Sequence, residues 1–116
     1  MLSTSDVLER HLTSFAEGDV EGMLADYMPD AVFFSPAGMV KGQDAIKPLF
    51  QGLISEFAKG GSSFTILQRA INGEHAYIVW TADTVDNSYE FATDSFVVRN
   101  GKIAAQSFAA KISPKH

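Results

Sequence analysis

The stretch YEFATDSFVV, residues 89–98, places a carboxylate, Asp94, among aromatic and β-branched residues that are typical of a β-strand. On such a strand Asp94 shares one face with Ala92 and Phe96, and it is buried if that face is the inner one. A buried carboxylate must pair with a cation, accept several hydrogen bonds or become protonated. If the face of Thr93 is the inner one instead, Asp94 is solvated, and the sequence leaves both interpretations open.

His11 is the other side chain that could exchange a proton near neutral pH. Its spacing from Leu8, Leu12 and Phe15 predicts that all four lie on one helix face, which turns the imidazole toward the core or a cavity. A histidine at the edge of the core, hydrogen-bonded to a backbone carbonyl, is the commoner structure for this pattern. An acid–base role is the alternative.

Several other kinds of catalytic site are excluded or disfavoured. The sequence has no cysteine, which rules out thiolate nucleophiles and cysteine-bound metals. The three histidines, His11, His75 and His116, are far apart, so no metal site is expected. Ser35 precedes Pro36 without the flanking glycines of a hydrolase nucleophile, so it is not expected to attack a substrate.

Composition and charge indicate a globular domain that binds neither membranes nor nucleic acids. The 116 residues are 46% hydrophobic and 20% charged, and the net charge is −5. The nine Lys and Arg residues are scattered and form no basic stripe. No apolar run approaches the roughly 20 residues of a membrane span. The N-terminal sequence lacks the pattern of a secretory signal, so we expect a cytoplasmic protein.

Three helices are predicted in the first half of the chain. A Ser3-x-x-Asp6 capping signal begins the first. Asp19 can cap a second helix through VEGMLADYM, and Pro29 is expected to end it because a proline disfavours helical geometry in the residue before it. A third apolar pattern repeats every 3.6 residues around Pro48, which a helix tolerates only within about a turn of its start.

Strands dominate the rest of the chain. The segment AVFFSPAGMVKG predicts two short strands and a bend, and turn signals at residues 72–73, 86–88 and 100–101 divide the remainder into four strands. Helices first and an antiparallel sheet afterwards indicate a single α+β domain, residues 1–116, with the helices on one face of the sheet. A sheet that curves around three helices leaves a cavity at its open end, where a small ligand usually binds.

The chain resembles the NTF2-like superfamily, and within it the ketosteroid isomerase and SnoaL-like polyketide cyclase branch. The resemblance is carried by residues 10–38, by KGQDAIKPLF and by TDSFVVRNGKI. Its most specific parts are Glu-Gly-Asp at residues 17–19, the D-A-x-x-x-x-P-x-G pattern at residues 30–38, and the strand aspartate. It implies a cone in which a curved, mostly antiparallel sheet wraps around three helices and encloses an apolar pocket, and a homodimer formed through the sheet.

Only some catalytic residues of ketosteroid isomerase have chemically similar counterparts in this sequence. That enzyme holds a carboxylic acid neutral in an apolar site beside a tyrosine, and both donate hydrogen bonds to the substrate oxygen. Its strand aspartate corresponds to Asp94 and its tyrosine to His11, but its general base, an aspartate, corresponds to Ser35. A serine hydroxyl is far too weak a base to remove a carbon-bound proton, so steroid isomerisation is not implied.

SnoaL-like cyclases are similar in using acidic and basic side chains deep in such a pocket, without metal or cofactor. The resemblance thus implies a cofactor-free acid–base enzyme, of isomerase, cyclase or lyase type, acting on a small apolar carbonyl compound. His11 would take the proton and Asp94 would orient the imidazole. Six aromatic side chains are expected to line the pocket: Phe15, Tyr27, Phe33, Phe50, Trp80 and Phe108.

A non-catalytic module is the alternative function. Many NTF2-like domains bind small molecules or proteins without turning anything over, and the missing base fits that role. A hydrogen bond between Asp94 and His11 inside a cavity would favour the enzyme, whereas either side chain pointing to solvent would favour the module.

Overall fold

Three helices and six strands make up the fold, and the computed structural model describes residues 2–116. The first part of the chain forms α1 (Thr4–Ala16), α2 (Val20–Ala25), β1 (Tyr27–Ser35), β2 (Gly38–Lys41) and α3 (Gln43–Phe57). Four long strands follow: β3 (Ser63–Asn72), β4 (His75–Asp83), β5 (Asn87–Arg99) and β6 (Lys102–Pro114).

All six strands belong to one sheet, in the order β2-β1-β6-β5-β4-β3. Neighbouring strands are antiparallel except β1 and β6, which run parallel. Register shifts interrupt the pairing of β6 with β1 and of each successive pair from β3 to β6, and such bulges bend the strands. The sheet stays open and curves around the helices, so the predicted α+β cone is confirmed.

The core fills the space between the helices and the concave face of the sheet. Both layers contribute fully buried side chains, among them Val7, Leu8, Met23, Ile46 and Phe50 from the helices and Ile78, Trp80, Ala92 and Phe96 from the strands. The face of β5 that carries Asp94 is therefore the inner one, because Ala92 and Phe96 are buried beside it while Phe91 and Ser95 are exposed. The structure thereby decides a question that the sequence left open.

The predicted cap of the first helix forms as a reciprocal pair of hydrogen bonds. Ser3 Oγ accepts from the Asp6 N–H at 3.1 Å, and the Asp6 carboxylate accepts from the Ser3 N–H at 3.2 Å. The third helix begins at Gln43 and contains Pro48. Among residues 2–116 there is no helix with the length and hydropathy needed to cross a membrane.

The second helix is shorter than predicted. It ends at Ala25 rather than near Pro29, and β1 already begins at Tyr27. The backbone carbonyl of Asp26 accepts a hydrogen bond of 2.7 Å from the N–H of Ile103 in β6, which turns the chain from helix into strand. Pro29 lies where the register of β1 against β6 shifts, so the N–H that proline lacks is not needed. Pairing with a distant strand overrides the local signal.

Glu56 fastens α3 to the turn between β4 and β5. Its carboxylate accepts hydrogen bonds from Thr84 Oγ1 at 2.6 Å, Asn87 Nδ2 at 3.0 Å and Tyr89 Oη at 2.8 Å. Burial opposes ionisation of this carboxyl, but the three hydrogen bonds outweigh it and lower its pKa. Because the Tyr89 ring packs on Trp80 with centroids 5.4 Å apart, this cluster also supports one wall of the cavity described next.

Candidate active site

A cavity of about 240 Å³ lies between the helices and the concave face of the sheet. Its lining is mostly apolar, and it reaches the surface beside α3, where Leu49 is 43% exposed. Four polar side chains face it: His11, Ser35, Asp94 and Gln106. An apolar cavity with a few convergent polar groups is the usual form of a small-molecule site.

The structure brings eight of the nine predicted site residues into this one cavity. His11, Asp94 and Ser35 line it, together with five of the predicted aromatic residues: Phe15, Phe33, Phe50, Trp80 and Phe108. Tyr27 is the exception, because it lies fully buried behind the wall, where it hydrogen-bonds to Gln106 and packs against the rings of His11 and Phe50. The catalytic roles of His11, Asp94 and Ser35 remain predictions.

Asp94 is held at the cavity wall by two hydrogen bonds. Trp80 Nε1 donates to Oδ2 at 2.7 Å, and Gln106 Nε2 donates to Oδ1 at 2.9 Å. Burial raises the pKa of the Asp94 carboxyl to about 6, although both hydrogen bonds favour the ionised form and lower it. Asp94 is therefore mostly ionised at pH 7 and is a stronger base than an ordinary carboxylate.

Gln106 connects Asp94 to Tyr27. The Tyr27 hydroxyl donates to Gln106 Oε1, so the amide nitrogen of Gln106 faces Asp94. Burial, and after it the charge of Asp94, raises the pKa of Tyr27 well above its usual value, which keeps the hydroxyl protonated as a donor. Gln106 was not among the predicted site residues. The available signal was its spacing of two from Phe108, which places both on one strand face.

His11 is buried among aromatic rings at the cavity. Its ring lies edge-on to Tyr27, Phe50 and Phe96, at centroid distances of 5.7, 5.9 and 5.4 Å. Burial lowers the pKa of His11 to about 4, so the imidazole is neutral at pH 7. Its Nδ1 is buried away from the cavity and has no hydrogen-bond partner within residues 2–116. A neutral imidazole carries one donor and one acceptor, and a ligand in the cavity can reach the other nitrogen, Nε2, which is not fully buried and also makes no hydrogen bond within residues 2–116.

The predicted pairing of His11 with Asp94 is wrong. Within the described residues the two oxygens of Asp94 accept from Trp80 and Gln106, and no hydrogen bond joins Asp94 to His11. The order of basicity is also reversed, because burial raises the pKa of Asp94 to about 6 and lowers that of His11 to about 4. Both side chains nevertheless line the same cavity, and neither points to bulk solvent.

Ser35 ends β1 and makes its hydrogen bonds within the turn to β2. Its Oγ accepts from the Ala37 N–H at 3.2 Å and donates to the Gly38 carbonyl at 3.3 Å. These bonds fix the turn beside the cavity. They also leave the hydroxyl without a neighbouring base that could activate it, as far as residues 2–116 are concerned.

The polar groups of the cavity suit an organic ligand. No group of three or more His, Asp or Glu side chains within residues 2–116 is arranged to hold a metal ion. His75 and His116 are both exposed, away from the cavity. The carboxylate of Asp94 and the imidazole of His11 instead offer an acceptor and a donor to a molecule between them.

Comparison with solved structures identifies the fold. An NTF2-like protein of unknown function from Cytophaga hutchinsonii superposes with a TM-score of 0.79 at 9% identity, covering 96% of this chain and 92% of that one. A candidate ketosteroid isomerase from Kribbella flavida gives 0.77 at 13% identity, with 93% and 77% covered. A de novo designed protein with a curved β-sheet gives 0.78 at 15% identity, with 93% and 84% covered.

At such low identities these similarities establish the fold alone, and a designed protein shares it. No curated protein matches the sequence significantly. The family model of the SnoaL-like domain matches residues 8–106, a span that contains His11, Ser35, Asp94 and Gln106. The resemblance inferred from the sequence is thus confirmed: the chain belongs to the SnoaL-like domain family and has the NTF2-like fold.

Proposed function

We propose that the protein is a cofactor-free acid–base enzyme that enolises a small apolar carbonyl compound, with Asp94 as the base. The observation that carries the proposal is a buried carboxylate with a pKa of about 6 in the wall of an apolar cavity. A general base is most effective when its pKa lies near the working pH. The fold is shared with a candidate ketosteroid isomerase, so this is the reaction type that we test.

In the proposed reaction Asp94 removes a proton from the carbon next to the carbonyl group. The electron pair of that C–H bond forms a carbon–carbon double bond, and the π electrons of the carbonyl move to its oxygen, which gives an enolate and a neutral Asp94. The proton can return to a different carbon, which isomerises the substrate. In a cyclase the enolate carbon would instead attack a second carbonyl of the same molecule. No electrons leave the substrate, so the reaction needs no redox cofactor.

His11 is proposed to stabilise the enolate oxygen. Its imidazole is neutral, and Nε2 is the nitrogen that a ligand in the cavity can reach, so the tautomer protonated at Nε2 can donate to the substrate. A neutral imidazole is an established donor to a developing enolate. Apolar walls strengthen that hydrogen bond because they exclude water from the site. In this proposal His11 donates the hydrogen bond that the tyrosine donates in ketosteroid isomerase.

The proposed proton acceptor is Asp94, whereas in ketosteroid isomerase it is the residue at the position of Ser35. In ketosteroid isomerase the strand carboxyl is neutral and acts as a donor, because its pKa lies above 9. Here the Trp80 and Gln106 hydrogen bonds lower the pKa of Asp94 against the effect of burial. The same strand position can therefore hold an acceptor. The cavity of about 240 Å³ is smaller than the roughly 300–1,000 Å³ typical of drug-sized ligands, so the reacting part of the substrate is small.

Hydrogen exchange in D₂O tests this function on cyclohexanone, a small apolar ketone, with NMR as the readout. The protein should accelerate loss of the α-hydrogens, and the rate should rise with pH through about 6 as Asp94 ionises, then level off. Trp80 is the only tryptophan and lies in the cavity wall, so its fluorescence reports binding separately. Exchange no faster than in buffer, together with a fluorescence change, would favour the binding module instead.

We further propose that two copies associate through the outer face of the sheet. In the middle of β4, β5 and β6 the outward residues are small or β-branched and uncharged, whereas charged side chains such as Lys111 lie toward the strand ends; the uncharged residues are Val79, Thr93, Ser95, Val97, Ala105, Ser107 and Ala109. Phe34 and Tyr77 on the same face are 48% and 37% exposed. Depletion of charge around exposed aromatic rings is typical of an interface core, and a two-fold dimer can pack such a face against itself.

Ser95→Arg is expected to convert the dimer into a monomer, because it places two unpaired charges at the centre of a self-associating face. Light scattering after size-exclusion chromatography measures the change in mass. Thr13→Arg is the matched control, since Thr13 is exposed on α1, on the opposite side of the sheet, and should leave the dimer intact. A wild-type monomer, or a Ser95→Arg dimer, would contradict the proposed interface.

A further inference from the structure

We infer that the substrate carries an apolar tail, which lies in a second cavity adjoining the first. The inference rests on the proposed function for the position of the reactive carbonyl. The second cavity measures about 480 Å³ and lies between the C-terminal ends of α1 and α3 and the start of β3. It contains neither His11 nor Asp94, so its role is binding rather than chemistry.

Three side chains form the boundary between the cavities. Leu12, Phe15 and Phe64 line both, and each is only partly buried. Phe15 packs against Phe64 and Phe57 with ring centroids 5.7 and 5.2 Å apart. The boundary therefore consists of side chains in the last turn of α1 and at the start of β3, where rotation of a ring can connect the two spaces.

The chemistry of the second cavity indicates what it takes. Its inner part is apolar, with Ile54 and Phe57 added to the shared residues, and its polar lining is Glu17, Ser62 and Ser63. Glu17 and Ser63 are exposed, so the far end of a bound molecule meets water there. An alkyl or aryl tail matches this lining. With the second cavity added, the space for a ligand comes within the range of roughly 300–1,000 Å³ that is usual for ligand sites.

A bound tail would also contact the residues that hold the base. The Phe64 ring packs on Trp80 at 5.1 Å, and Trp80 donates the hydrogen bond to Asp94 Oδ2. Tail binding beside Phe64 therefore restrains the indole that positions the carboxylate. It should also change the Trp80 fluorescence.

The test uses straight-chain methyl ketones of increasing length, with dissociation constants measured from Trp80 fluorescence. Each buried methylene should tighten binding roughly fourfold, and the gain should continue for chains too long for the first cavity alone. Ala16→Phe places a ring in the second cavity, which Ala16 lines without reaching the first. This variant should lose the gain for long ketones and bind short ones like the wild type.

Ala25→Phe is the matched control, because Ala25 ends α2 as Ala16 ends α1 and is likewise exposed. It should keep the full gain with length. Ser63→Phe fills the second cavity from β3 and should repeat the effect of Ala16→Phe, which separates occlusion from damage to α1. Long ketones that bind either filled variant as tightly as the wild type would overturn the inference. Failure of even short ketones to bind the wild type would overturn the proposed function, and the inference with it.

Discussion

Asp94→Asn should lower the rate of α-hydrogen exchange by about 10² to 10⁴-fold, the range that a general base contributes. Asparagine has nearly the shape of aspartate but cannot take up a proton at neutral pH, so the base is removed while the cavity remains. Exchange followed by NMR on cyclohexanone measures the loss. Binding of the same ketone, followed by Trp80 fluorescence, should change far less than the rate.

The hydrogen-bond network can accommodate this asparagine without unfolding. The new amide nitrogen needs an acceptor on the side where Gln106 Nε2 now donates. Gln106 can turn its amide so that Oε1 faces the new amide, and its nitrogen then faces the Tyr27 hydroxyl, which accepts as well as donates. Trp80 continues to donate to the remaining oxygen. The variant therefore separates loss of the base from loss of the site.

Asp83→Asn provides the control for the same chemical change at the surface. Asp83 ends β4, is exposed, and lies 3.3 Å from Lys115 Nζ in an ion pair of the kind that contributes little to stability. Its exchange rate should equal that of the wild type. Full activity of Asp94→Asn, or an equal loss in both variants, would show that Asp94 is not the base.

Asp94 illustrates how far the sequence could predict the site. Strand alternation grouped it with Ala92 and Phe96, and that grouping holds. It could not tell which face was inner, because the other face also carries a large aromatic residue, Phe91, which is 50% exposed. Which face of β5 is the inner one depends on where the helices pack, and the local sequence pattern does not specify that. The family resemblance supplied the missing part by placing Asp94 in a pocket.

Neither strand alternation nor the family resemblance predicted the hydrogen-bond donors to Asp94. Helical spacing and the resemblance brought His11 to the cavity, which made the two residues a natural pair. The actual donors, Trp80 and Gln106, come from the strands on either side of Asp94, so they depend on the register of β4 and β6 against β5. Bulges shift that register within both pairings. A single unpredicted bulge exchanges the faces of every later residue, so such contacts are not readable from spacing.

Stability should depend on pH through Asp94 and His11 with opposite signs. Burial raises the pKa of Asp94 in the folded protein to about 6, from an ordinary value of 3.8. The folded state then holds that proton more tightly, so Asp94 lowers stability as pH rises from about 4 to about 6, by about 3 kcal/mol. Burial lowers the pKa of His11 from 6.5 to about 4. His11 therefore does not affect the free energy of unfolding above pH 6.5, and it lowers that free energy by about 3 kcal/mol as pH drops to about 4.

Because the two windows overlap, the two contributions nearly cancel in the wild type between pH 4 and 6, and single variants should reveal them. Asp94→Asn retains only the effect of His11, so the stability of this variant relative to the wild type should fall as pH is lowered through this window. His11→Phe leaves the Asp94 term, so its relative stability should rise. Urea unfolding at several pH values measures both, and subtracting the wild-type free energy of unfolding at each pH cancels the remaining titrating groups.

The opposed pKa shifts are tested by the sign of each slope of relative stability against pH. His11→Phe also alters packing among Tyr27, Phe50 and Phe96, but that effect does not vary with pH and leaves the slope unchanged. Relative slopes of the same sign in both variants would contradict the opposed pKa shifts and the assignment of Asp94 as the stronger base. Opposed slopes would mean that ionisation of Asp94 lowers the stability of the fold at pH 7. A fold retains such a cost most readily where a base in an apolar cavity serves a reaction.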